Sequence, residues 1–177
     1  ILGSGQRGLG AVVAAREAGV GKIILTGTSR SPYKLQMGEA LGADHTIEAD
    51  SEDTAARVME ITNGRGVDVV LDLVPVASQP VLDAIEVARI GGTVVLSGIK
   101  GSGGGIVLDV DRVLYKELTI KGVYSLGREA YLEAFRLLSE NNYRLERLHT
   151  LEFLLENAEE AVLTLGREKN PNQQPIC

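Results

Sequence analysis

Near its start the chain carries Gly3-Ser4-Gly5-Gln6-Arg7-Gly8, a G-x-G-x-x-G spacing. An apolar stub precedes it, and a run of small residues with a helical pattern follows (Leu9, Ala11, Val12, Val13, Ala14, Ala15, Ala18). Each glycine has a physical role if a diphosphate binds here. Gly3 permits the tight turn, Gly5 lets a pyrophosphate approach the backbone, and Gly8 lets the helix pack close to the strand. The helix start, through Gln6, Arg7 and Gly8, then offers N–H groups and a partial positive charge to an anion.

A second candidate group lies further on. Folds that read a ribose diol place Asp or Glu about 20 residues past the glycine turn. That position is Gly27, followed by Thr28-Ser29-Arg30. A carboxylate there would repel a 2′-phosphate. Glycine leaves space, the hydroxyls of Thr28 and Ser29 can donate, and Arg30 can pair with the phosphate charge. The pattern predicts NADP(H). NAD(H) is the alternative, if Thr28 and Ser29 only turn the chain into the next helix and Arg30 is solvated.

The elements that must hold these groups alternate. Apolar runs predict strands over residues 22–27, 45–47, 67–73, 93–97 and 118–123. Between and after them, helices are expected over 33–41 (stopped by Gly42), 53–61 (ended by Asn63-Gly64), 79–88 (ended by Gly91-Gly92), 111–117 and 129–140. Residues 148–165 read as a strand followed by a helix from 156. Nearly continuous Val/Ile/Leu strands alternating with helices imply an α/β fold, a parallel sheet covered on both faces. Ile1 is no natural translation start, and only two residues precede Gly3, where a buried strand has about five or six. The first strand therefore reads as clipped and the chain as a piece of a longer protein. Residues 101–105 are glycine-rich but lack a Walker spacing and read as a loop. The polar tail beyond Gly166 is expected to be disordered.

With 177 residues the chain is about one domain, and its net charge of −6 argues against a nucleic-acid surface. No apolar run is long enough to span a bilayer, and neither a signal peptide nor a membrane partner is expected. A single cysteine, Cys177, allows no internal disulfide and no zinc cluster; a cytoplasmic setting and an exposed, unimportant thiol are expected. The two histidines, His45 and His149, lie far apart and lack ligand spacing.

Several segments in order resemble the medium-chain dehydrogenases, including the zinc-dependent alcohol dehydrogenases. They are the glycine turn, Leu41-Gly42-Ala43-Asp44-His45, Gly64-Arg65-Gly66-Val67-Asp68-Val69-Val70-Leu71-Asp72, Gly91-Gly92-Thr93-Val94-Val95-Leu96-Ser97-Gly98, and Leu118-Thr119-Ile120-Lys121-Gly122. The resemblance implies a doubly wound Rossmann sheet of order 3-2-1-4-5-6 with a nicotinamide dinucleotide at its switch point. It implies that backbone groups at Ser97, Gly98 and Ile99, and at Val123, Tyr124 and Ser125, hold the nicotinamide end. Residues 1–147 would be the dinucleotide-binding domain, and residues 148–177 would return toward a catalytic domain that this chain lacks. Zinc would belong to that domain, which would also choose the alcohol or carbonyl substrate. This chain would bind cofactor without holding a metal. Its sixth strand is an apolar edge that invites a homodimer.

Other readings meet specific obstacles. An S-adenosylmethionine methyltransferase needs a carboxylate where Gly27 stands. A short-chain dehydrogenase needs Tyr-x-x-x-Lys, and none of the five tyrosines has a lysine four residues on. A non-enzymatic NAD(P) sensor remains the alternative, because binding alone requires no catalytic group.

Overall fold

The computed structural model describes residues 1–101, 105–166 and 175–176. Part of the glycine-rich loop, most of the tail and Cys177 lie outside the described residues. The chain divides into two compact units, Ile1–Ser125 and Leu126–Cys177, an earlier division than the 147/148 boundary expected from the sequence.

In the first unit the order is α1 (Gln6–Glu17), β1 (Ile24–Gly27), α2 (Pro32–Leu41), β2 (His45–Glu48), α3 (Thr54–Ile61) and β3 (Val67–Asp72). It continues through α4 (Gln79–Val87), β4 (Ala88–Leu96), α5 (Val110–Tyr115) and β5 (Thr119–Gly122). All pairings are parallel: β1 with β2, and β3 with β4 and β4 with β5. The N-terminal stub joins these groups. Leu2 bridges Thr26 on one side and Asp72 on the other, with Leu2 N–H donating to Leu71 O at 2.8 Å and Leu73 N–H donating back to Leu2 O at 3.1 Å. The pairings and the two bridges are compatible with a Rossmann sheet whose first strand is short.

Local chemistry explains the helix ends. Gly42 caps α2 at φ +117°, a left-handed conformation that costs glycine least. The Asp53 side chain caps α3 by accepting from Ala56 N–H at 2.9 Å. Pro80, in the first turn of α4, gives up an N–H that needs no helical partner. The core of the sheet gathers Leu2, Ile24, Ile47, Val58, Val70, Ala84, Val87 and Val94, so β1–β4 and the helices α3 and α4 share one apolar interior.

One strand starts earlier than its sequence suggests. β4 begins at Ala88, not at Thr93, and α4 stops at Val87. Val67 pairs with Ala88, but Val69 already pairs with Thr93. Residues 89–92 are thus accommodated as a bulge, with Gly91 at φ +69°. The glycine pair marks this irregularity inside the strand, where the local pattern suggested the end of a helix.

The second unit holds α6 (Arg128–Glu140), two 3-10 turns (Leu145–Leu148 and Leu155–Asn157) and α7 (Ala158–Leu165). The strand expected early in residues 148–165 is not formed. A strand persists only where its N–H and C=O groups find a ladder, and among the described residues none forms a β-ladder with this stretch. Among the described residues no helix is long and apolar enough to cross a membrane.

Candidate functional site

The glycine turn sits where the stub leaves the sheet. Gly3 takes φ +101°, and its N–H donates to both the carbonyl and the hydroxyl of Thr26, each at 3.2 Å. Gly8 is glycine for packing: a Cβ there would lie 1.8 Å from Gly3 O. Gly5 differs, since a Cβ at this position would meet nothing within 4 Å. Its lack of a side chain serves no internal packing and leaves the surface in front of α1 clear. Gly5 is the N-cap of α1. It supplies no capping side chain, and no acidic residue occupies the first turn. The electropositive end of a 12-residue helix is therefore unneutralised by its own side chains.

This turn forms one wall of an open groove of about 380 Å³. Gly3, Gly5, Gln6, Arg7 and Gly8 line it together with Gly98 and Ile99. The structure thus brings together seven of the sequence-predicted residues. Leu73 and Pro75 complete the lining; the sequence reading missed them, although their place just past the end of β3 was a signal, since ligands of open α/β sheets collect at the carboxyl ends of strands.

The end of β3 and the loop that follows it are bonded directly to the loop after β4. Ser97 and Gly98 N–H donate to Asp72 O at 2.9 and 3.0 Å, and Val76 N–H donates to Ile99 O at 2.9 Å. Val76 itself takes φ +67°, a conformation that β-branched residues rarely adopt. Asp72 is fully buried, and its carboxylate pairs with Lys100 Nζ at 2.7 Å. Lys100 also donates to Val74 O at 2.5 Å, and Val74 N–H donates to Asp72 at 3.1 Å. The pair ties both loops to the end of β3. Because Ser97 and Gly98 spend their N–H groups on Asp72, they can offer a ligand only their remaining groups. Val123 N–H is likewise engaged, by Leu96 O at 2.9 Å. Ser97, Val123, Tyr124 and Ser125 do not line the groove.

The structure corrects one argument about Gly27. No space is left at this residue. Gly27 is buried, and a Cβ would lie 2.5 Å from Ser4 Oγ and 2.7 Å from Leu35 Cδ2. Its absent side chain is required by close packing of the turn and α2 against β1. Beyond it, Ser29 contacts a residue the sequence reading missed. Asp50 Oδ1 accepts from Ser29 N–H at 2.7 Å, and Oδ2 accepts from Ser29 Oγ at 2.8 Å. These two bonds, with the charge of Arg30 nearby, hold the exposed Asp50 carboxyl below the usual carboxylate range. The signal lay in strand register: Gly27 pairs with Glu48, so Ser29 and Asp50 stand the same two residues past the pair.

Among the described residues no three His, Cys, Asp or Glu side chains gather to hold a metal ion. They do not fit a zinc site.

Comparison with known proteins bears on this arrangement. The family model for zinc-binding dehydrogenases matches residues 8–140. A Mycobacterium tuberculosis protein described as an alcohol dehydrogenase is 35% identical over 96% of this chain, which spans 47% of that protein. The chain thus covers about half the length of the curated relatives it matches. Among solved structures, a Thermotoga maritima alcohol dehydrogenase superposes with a TM-score of 0.84 at 28% identity, over 94% of this chain and 47% of that one. A Sinorhizobium meliloti protein described as a zinc-binding dehydrogenase, solved bound to NADP, superposes with a TM-score of 0.74 at 27% identity, over 83% of this chain and 42% of that one.

Proposed function

Because the chain belongs to the zinc-binding dehydrogenase family, we propose that it is the dinucleotide-binding part of an alcohol-dehydrogenase-like oxidoreductase. The groove beside Gly5 carries this reading. Its wall is a glycine turn in which one glycine is required by packing and another leaves clear the surface before a helix N-terminus. A pyrophosphate fits there by charge and by clearance. Leu73, Pro75 and Ile99 add an apolar part to the lining, suited to the nicotinamide end. Carbonyl and remaining amide groups at Gly98 and Ile99, which line the groove, and at Ser97, Val123 and Ser125 outside its lining, would orient the carboxamide.

When bound, a nicotinamide dinucleotide supplies the hydride chemistry. This chain binds and orients it. The substrate, an alcohol or its carbonyl counterpart, and the zinc belong to the remainder of the protein in this reading. In this reading the cofactor part runs through residue 147, the first compact unit followed by α6, and the residues after it belong with that remainder. The preferred cofactor is NADP(H): Gly27 places no carboxylate at the end of β1, Thr28 and Arg30 follow it, and a relative was solved with NADP. The exposed residues of β5 offer an edge for a second copy, and a single cysteine suits the cytoplasm.

Titration of the chain with NADPH and NADH, read by nicotinamide fluorescence, tests the reading. Binding is expected for the native chain. In Gly5→Val it is expected to fall at least about a hundredfold, with the fold intact by circular dichroism. A chain that binds neither dinucleotide, or a folded Gly5→Val variant that binds as the native chain does, would overturn it.

A further inference from the structure

Residues 48–53 carry four carboxylates, on Glu48, Asp50, Glu52 and Asp53. Three of them act within their own turn or on the helix that follows it. Glu48 accepts from Ser51 Oγ at 3.1 Å, Glu52 accepts from Glu48 N–H at 2.8 Å, and Asp53 caps α3. Asp50 alone reaches across to the neighbouring loop, where it takes both the N–H and the hydroxyl of Ser29 and faces the charge of Arg30. Thr28-Ser29-Arg30 is also the segment on which recognition of a 2′-phosphate depends in the reading above. One of its three polar residues, Ser29, is therefore already committed to a protein carboxylate, and the charge of Arg30 acts on that same carboxylate.

We propose that Asp50 is a specificity-determining residue, an internal competitor that limits how strongly the β1 loop accepts a 2′-phosphate. This rests on the dinucleotide reading of the groove. The phosphate of NADP(H) brings nearly two negative charges. To use Ser29 and Arg30 it must displace the Asp50 carboxylate or bind beside it against like charge. NAD(H) brings a neutral diol instead and meets no such conflict; Asp50 leaves its binding alone or helps it by accepting from a hydroxyl. Asp50 acts through Ser29 and Arg30, so it is a positioning residue whose effect divides the two cofactors.

The test is a titration of the native chain, Asp50→Asn, Arg30→Ala and the double variant with NADPH and NADH. Asp50→Asn keeps the shape and removes the charge. It is expected to tighten NADPH about five- to tenfold and to leave NADH within about twofold, as suits a charge contact in solvent. In the Arg30→Ala background the NADPH gain is expected to shrink to less than about twofold, because the competitor has lost its target. Added salt should reduce the gain. Asp50→Ala, which removes the oxygens as well, should give the same split between cofactors. An Asp50→Asn chain that binds both cofactors as before, or that changes both alike, would overturn the inference and leave the dinucleotide reading in place. A native chain that binds neither would overturn both.

Discussion

Two residues past the register pair Gly27↔Glu48 stand Ser29 and Asp50; two residues past Asp72↔Leu96 stand Val74 and Gly98. Parallel neighbours end together, so each pair of loops starts side by side. At Val74 and Gly98 the contact is main chain. A Cβ on Gly98 would lie 2.2 Å from Val74 O, and a buried ion pair locks both loops to β3. At Ser29 and Asp50 the contact is between exposed groups, through a side-chain carboxylate. The same topology therefore yields a fixed wall in one place and an adjustable one in the other. Changes in the first should cost stability, and changes in the second should cost selectivity.

The largest effect belongs to the main-chain region. In Gly8→Ala the new methyl would meet the carbonyl group of Gly3, with nothing flexible to give way. Helix α1 would have to move off the stub, at a cost of more than about 3 kcal/mol. Gly10→Ala is the control. Its methyl meets nothing within 4 Å, and alanine is the better helix former by about 1 kcal/mol. Urea unfolding of both variants reads the contrast. A Gly8→Ala chain as stable as the native one would mean that the turn does not depend on this close approach.

Next comes Lys100→Met, which leaves the buried Asp72 carboxylate without its cation. Removing one partner of a buried pair costs about 3–5 kcal/mol. Lys100 keeps some solvent contact, so the lower end, about 3 kcal/mol, is expected here. Lys100→Arg should recover much of that loss. A thermal or urea shift equivalent to less than about 1 kcal/mol would show that the two loops are held without this pair, and the contrast between fixed and adjustable walls would weaken.

What the sequence made legible follows the same division. The glycine turn was readable because its requirements are local: Gly3 turns, Gly8 packs, and Gly5 stays clear. Strand and helix alternation was readable from apolar runs and from stops such as Gly42 and Asn63-Gly64. The start of β4 was not, because Gly91 serves a bulge whose partner, Val67, lies outside any local window. Gly27 was identified by position, yet its cause is contact with Ser4 and Leu35 rather than space for a phosphate. The strand expected early in residues 148–165 had a suitable pattern but no ladder partner among the described residues. Asp50 and Lys100 escaped notice because each acts across 21 or more residues of sequence, on a neighbour brought close only by parallel register.

The smallest expected effect is in the adjustable region, and it bears directly on cofactor choice. A charge-assisted contact between Arg30 and a 2′-phosphate has a gross strength of about 1.5–3 kcal/mol, or ten- to a hundredfold in affinity. Arg30 is exposed and its charge acts on the Asp50 carboxylate, so the net loss should sit at the lower end. Arg30→Ala is expected to weaken NADPH about tenfold and to leave NADH nearly unchanged. Gly27→Asp, which by position alone would restore an acceptor for a ribose hydroxyl, is no clean partner for this experiment. Its Cβ would collide with Ser4 Oγ and Leu35, so the variant would lose stability before it changed preference. If Arg30→Ala weakens both cofactors equally, or neither, then Thr28-Ser29-Arg30 is only a turn, NAD(H) is the working cofactor, and Asp50 has no phosphate to compete with.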